Sequence, residues 1–249
     1  MLIINNDDRV RTVALNRPDA LNAFNGQQYD EVTDALLEAG ADDDCRVVVL
    51  TGTGRAFSAG ADLSGSAGPP PRHGFRGMLH AIVDFEKPFV LGINGLGVGI
   101  GATICGVADF AFMAASARLR CPFSELGLVA EAGSTRTFPA LMGRQQAMWF
   151  LMASEWMSAE QCKAAGLVLD VLRDEGFAAA VHAKAARLAA LPPDSLAEAK
   201  RLVTGPDRDR LKAVIDAENA ALARLSGGPA NREAVAAFRE KRKPDFSAL

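Results

Sequence analysis

Two glutamates, Glu125 and Glu131, stand among small and apolar residues in the stretch 119-LRCPFSELGLVAEAGSTRTFP-139. A carboxylate can take a proton from a substrate and return it, and does so best when burial has raised its pKa towards neutrality. Glu131 has neighbours suited to that effect in Leu128, Val129 and Phe138. A helix expected from near Ala132 works in the opposite sense, since its positive N-terminus favours the anion and offers the side chain a purely structural role. Two other segments could aim backbone amides at negative charge. In 55-RAFSAGADL-63 a strand ends in small residues, with Asp62 placed to cap a helix. In 94-NGLGVGIGAT-103 the alternating glycines either expose amides or let an apolar helix pack closely on a sheet. Other chemistries lack their residues. There is no GxGxxG fingerprint and no Gly-Lys-Ser/Thr phosphate loop. The three histidines (73, 80, 182) are scattered and the four cysteines (45, 105, 121, 162) form no CxxC, so no metal centre, disulfide frame or Ser-His-Asp set is expected.

These residues need a scaffold, and the 249-residue chain is long enough for one large α/β domain or a domain with an appendage. Alternation predicts a strand over 9–18, and Asn25 is placed to cap a helix running to Gly40. Apolar runs predict buried strands over 46–52 and 88–94, and helical spacing covers 75–86 between them. A mobile loop is expected over 64–74, an apolar helix over 100–108 and a strand over 109–114. This alternation reads as a repeated ββα unit of about 40–50 residues. From Ser158 the chain reads as helices over 158–166, 175–190, 194–204, 207–226 and 229–242. Pro192-Pro193 marks a seam, dividing the chain into a core of 1–191 and a dependent helical part of 192–249. A net charge of -3 without a basic stripe points away from nucleic acid. With no signal-like start and no long apolar run, a cytoplasmic protein with no membrane partner is expected.

Four landmarks in order carry a family resemblance: 15-LNRPDALNAF-24, FSAGADL, the ING and Gly-rich segment, and PFSELGLVAEAGS, closed by 237-AFREKRKPDF-246. Together they resemble the crotonase, or enoyl-CoA hydratase/isomerase, superfamily. The resemblance implies a ββα spiral with a C-terminal helical trimerisation region, assembled as a homotrimer or hexamer, and an acyl-CoA thioester as substrate. It implies no cofactor beyond the coenzyme A that the substrate carries, and no metal. By position it assigns an oxyanion hole to the amides of Ala61 and Ile100, where Ile100 replaces a frequent glycine. Ala20 and Ala59 are implied as backbone contacts to coenzyme A, and Phe238 and Lys241 as contacts from the C-terminal helix. Asp19 stands where a basic residue would help bind phosphate.

The two glutamates of the hydratases align with Thr103 and Phe123, which cannot orient water or move its protons. Glu125 lies two residues past Phe123 in an extended stretch and is expected to face solvent. Glu131 aligns with the catalytic glutamate of Δ3,Δ2-enoyl-CoA isomerases of peroxisomal type, with Ala130 in place of the usual proline. The resemblance therefore implies that a 3-enoyl-CoA becomes a 2-enoyl-CoA through a thioester enolate. A 2-enoyl-CoA hydratase with atypical residues, and a crotonase-like protein that binds acyl-CoA without turning it over, stand as alternatives.

Overall fold

The structure is a computed structural model describing residues 1–62, 69–247 and 249, with the side chain of Phe238 outside the described part. In chain order the strands and helices are β1 (Leu2–Asp7), β2 (Val10–Leu15), α1 (Gly26–Ala41), β3 (Val47–Gly52), β4 (Ala56–Ser58), α2 (Gly74–Asp84), β5 (Phe89–Ile93) and β6 (Leu96–Val98). There follow α3 (Ile100–Thr103), β7 (Phe110–Ala114), β8 (Arg118–Arg120), α4 (Ser134–Met142), α5 (Arg144–Met152), β9 (Trp156–Ser158) and α6 (Ala159–Ala164). The chain continues through β10 (Asp170–Leu172), α7 (Phe177–Ala189), α8 (Pro193–Thr204), α9 (Arg208–Leu225) and α10 (Pro229–Glu240).

Two sheets make the spiral. The larger has the order β1-β2-β3-β5-β7-β10, parallel except for the β1–β2 pair. The smaller, β4-β6-β8-β9, is parallel until β9. Each round contributes one strand to each sheet and then a helix: β3-β4-α2, β5-β6-α3, β7-β8-α4. The expected ββα repeat is therefore present, but its rounds are unequal, since their first strands start at Val47, Phe89 and Phe110. The shortening comes from α3, which holds only four residues before a 3-10 turn over Ile104–Val107.

Val47, Val48, Val49 and Leu50 of β3 and Phe89, Val90, Leu91 and Ile93 of β5 are all buried. Central parallel strands are covered on both faces, which is why these segments read as continuous apolar runs. Asn25 caps α1 as its position implied, its side chain accepting from the Gln28 amide at 2.9 Å. Asp30, within α1, accepts from the amides of Arg72, His73 and Gly74 at 2.7, 2.8 and 3.0 Å and so ties down the start of α2. Burial acts against its ionisation, yet the three amides prevail and its pKa is lowered. Of the loop expected over 64–74, residues 64–68 lie outside the described residues, as does any helix that Asp62 could cap.

The C-terminal helices lie on the spiral of their own chain. Lys200 of α8 is half-buried beside Asp109 at 2.7 Å and also donates to the Lys87 carbonyl at 2.9 Å. On α9, Asp216 accepts from Arg76 of α2 at 2.6 and 2.8 Å and lies 3.2 Å from His80. Asn231, near the start of α10, donates to the Leu126 carbonyl at 2.8 Å, and Ala234 and Ala237 are buried. Among the described residues no helix is long and apolar enough to cross a membrane.

Candidate active site

The two amide-bearing turns meet. Gly60 has φ +94°, and a Cβ added there would come within 2.9 Å of the Val98 carbonyl oxygen, so only glycine fits without a shift. The Gly99 backbone, at φ +56°, is its neighbour: a Cβ added at Gly99 would sit 3.8 Å from the Gly60 Cα and 3.8 Å from Glu131 Oε1. One small space is thus bounded by both turns and by the Glu131 carboxyl.

Ala61 and Ile100 each follow one of those glycines. Ala61 forms a parallel bridge with Phe24 through its neighbours, Phe24 donating to the Gly60 carbonyl at 2.7 Å and Asp62 to the Phe24 carbonyl at 2.8 Å. That pattern turns the Ala61 amide away from Phe24. The Ile100 amide opens α3, where no side chain caps it. Among the described residues neither amide donates to a protein acceptor. Ile100 itself is fully buried, so its side chain belongs to the core.

The first turn is held by a buried asparagine. Asn22, at φ +56°, donates to the carbonyls of Thr53 and Ala56 at 2.9 and 2.8 Å and accepts from the Arg17 amide at 2.8 Å. Its own carbonyl accepts from Ser58 Oγ at 2.9 Å. Asp62 forms an ion pair with Arg17 at 2.9 Å. Ala20 and Ala59 lie on adjoining segments, joined where the Ala59 amide donates to the Leu21 carbonyl at 2.9 Å. Lys241 is exposed beyond the end of α10, and Phe238 lies within α10 with its side chain outside the described part.

Glu131 precedes two left-handed residues, Ala132 at φ +61° and Gly133 at φ +72°. For Ala132 that conformation costs about 1 kcal/mol, so the surroundings must hold it. The helix expected from near Ala132 begins instead at Ser134, displaced by this turn. Glu131 is half-buried as a residue, while protein around its carboxyl removes most of the hydration there. Lost hydration first, and the negative Glu218 second, push its pKa up to about 8. Tyr29 is also shifted upward, by burial first and then by the charge of Glu131. Its ring stacks on Phe24 at 5.1 Å and meets Phe75 edge-on at 5.5 Å. The Cys121 thiol is raised by burial and then by Glu131.

Glu125 is exposed, as expected, and paired with Arg120. Residues 123–127, however, form a turn and not the expected extended stretch, which would have put Glu125 on the same face as Phe123. Thr103 is fully buried and its hydroxyl donates to the Gly99 carbonyl at 3.1 Å. Phe123 is buried in the core. A cavity of about 590 Å³ between α1, α2 and α8 is lined by Leu36, Phe85, Lys87 and Pro193 and includes none of these site residues. Among the described residues Asp7, Asp8 and His182 could hold a cation, their ligand atoms lying within 4.8 Å of one another on exposed or half-buried positions away from Glu131.

Fold and site together define an α/β spiral that presents two unpaired amides beside a basic carboxylate. Residues 5–248 match the family described as enoyl-CoA hydratase/isomerase, and the chain belongs to that family. It is 33% identical to the 1,2-epoxyphenylacetyl-CoA isomerase of Escherichia coli, over 96% of this chain and 95% of that one. It is 32% identical to human enoyl-CoA delta isomerase 2, over 86% of this chain and 56% of that longer protein. The crystal structure of an enoyl-CoA hydratase/isomerase from Pseudoalteromonas atlantica superposes with a TM-score of 0.93 at 34% identity, over 99% of both chains. The protein is thus an acyl-CoA enzyme with the crotonase fold.

Proposed function

We propose that the enzyme moves the double bond of a 3-enoyl-CoA to the 2-position, with Glu131 as the one catalytic carboxylate. The observation that carries this reading is the Glu131 carboxyl, raised to about 8 and lying beside the two turns with unpaired amides. The Glu131 carboxylate takes a proton from C2, the freed electron pair moves onto the thioester carbonyl, and the dienolate oxygen is held by the amides of Ala61 and Ile100. Each such donor contributes about 3 kcal/mol to the transition state. The carboxylic acid of Glu131 then delivers its proton to C4, leaving the C2=C3 double bond and restoring the carboxylate. Nothing is oxidised and no water is consumed.

The carboxylates of a hydratase are absent. Thr103 already donates within the protein, Phe123 is apolar, and Glu218 has both oxygens occupied by donors. The name of human enoyl-CoA delta isomerase 2 supports the same reading, while other relatives of similar identity carry hydratase names. The backbone of Ala20 and Ala59 would border the coenzyme A chain, with Phe238 and Lys241 reaching its nucleotide end. Exposed Met148, Trp149 and Met152 of α5 and the nearby Trp156 support assembly of the chain as a trimer or hexamer.

Purified enzyme is mixed with trans-3-hexenoyl-CoA and the conjugated enoyl thioester absorbance is followed. A rise that is lost in Glu131→Gln is expected. Consumption of crotonyl-CoA without that rise would favour hydration, and binding with neither change would favour a carrier.

A further inference from the structure

Three donors converge on one buried carboxylate. Glu218 of α9 accepts from the Gly133 amide at 2.6 Å through Oε2, and from the Thr135 amide and hydroxyl at 3.0 and 2.6 Å through Oε1. Gly133 and Thr135 flank the first residue of α4, so a side chain from a helix far along the sequence caps α4 and closes the turn that carries Glu131. The contact is tight. A Cβ added at Gly133 would meet Leu211 Cδ1 of α9 at 2.5 Å, and the fully buried Ile215 stands behind it. In turn α9 is anchored to α2 through Asp216, Arg76 and His80.

Granting the proton-transfer role of Glu131, we infer that Glu218 is its positioning residue: it fixes the turn after Glu131 by capping α4 and sets a second carboxylate behind the catalytic carboxyl. The groups facing Glu131 from the elements around it are Glu218 of α9, Tyr29 of α1 and Cys121 in the segment after β8. Tyr29 and Cys121 are themselves shifted upward and stay neutral in the range where carboxylates ionise, so Glu218 alone among the three supplies charge. Burial also raises Glu218, but its three donors favour the anion, whereas Glu131 accepts no hydrogen bond among the described residues. Glu218 therefore ionises first and Glu131 ionises against its charge.

The test uses Glu218→Gln, which keeps the shape and removes the charge. The acid limb of its kcat/KM profile should move down by about one pH unit, with kcat falling at least tenfold and KM little changed. A residue serving stability alone would lower activity without moving that limb, and such a result overturns the inference. The unmodified protein provides a second reading that needs neither a variant nor turnover. With 13C-labelled glutamate, the Glu131 carboxyl should titrate in two steps, one of them at the Glu218 pKa, and a single step would sink the coupling. Two-step titration in a protein inactive on 3-enoyl-CoA would discard the isomerase reading and leave this one standing.

Discussion

Glu131 is under opposite demands from folding and from catalysis. Its pKa is raised from 4.5 to about 8, so folding favours the protonated form. That advantage is whole below about 4.5 and is lost as pH rises through about 8, because the folded chain holds a proton which the unfolded chain has released. Catalysis needs the anion, so activity should rise across the same interval to a midpoint near 8, as a kcat/KM profile would record. Glu131→Gln should abolish isomerisation yet gain stability over the parent at pH 9, by on the order of 5 kcal/mol, with the gain vanishing near pH 4.5. Urea denaturation at both pH values measures it, and a gain independent of pH would contradict the account. The sequence made Glu131 readable through its apolar neighbours and its place in the resemblance. Glu218 was not readable, because an acidic residue on an Ala-rich helix looks like any solvated charge until the fold brings Gly133 and Thr135 to it. Nor was the place of Tyr29 beside Glu131 readable, since sequence spacing cannot show that its ring stacks on Phe24.

At the scale of elements, legibility followed length and burial. The long helices α1, α2, α7 and α9 and the buried strands β3 and β5 were all anticipated, because a periodic or continuous apolar pattern needs several residues to register. The strands β4, β6, β8 and β9 hold three residues each, too few to show alternation, so apart from the strand expected to end within 55–63 the second strand of each ββα round could not be placed. Of the pair α4 and α5, only the start of α4 was anticipated, two residues early, and α5 was missed. They are separated by Gly143 alone, and Pro139 lies inside α4, a residue that ordinarily reads as a helix stop. Between elements, the Lys200–Asp109 pair joins α8 to the edge of β7, while Asp109 also accepts from the Phe89 amide of β5 at 2.7 Å. Burial first and foremost lowers the Lys200 pKa, so the lysine depends on its partner. Asp109→Ala should cost about 3 kcal/mol of unfolding free energy, since it strands a buried ammonium and an amide together. A loss under 1 kcal/mol in chemical denaturation would show that water replaces the carboxylate.

At the scale of the molecule, the outer face of α5 sets exposed Met148, Trp149 and Met152 beside Leu141 of α4. That is the surface on which the proposed assembly would close, since exposed apolar patches favour association. Trp149→Asp combined with Met152→Asp should reduce the mass seen by light scattering from a multiple of the chain to a single copy, while the far-ultraviolet dichroism stays unchanged. An unaltered mass would place the assembly contact elsewhere. The bond between the Gly133 amide and Glu218 spans 85 positions of sequence. On the ribosome, therefore, both sheets can emerge while the reactive turn still lacks its clasp, and a message cut short ahead of α9 would release a polypeptide with the scaffold laid down and the chemistry not yet armed.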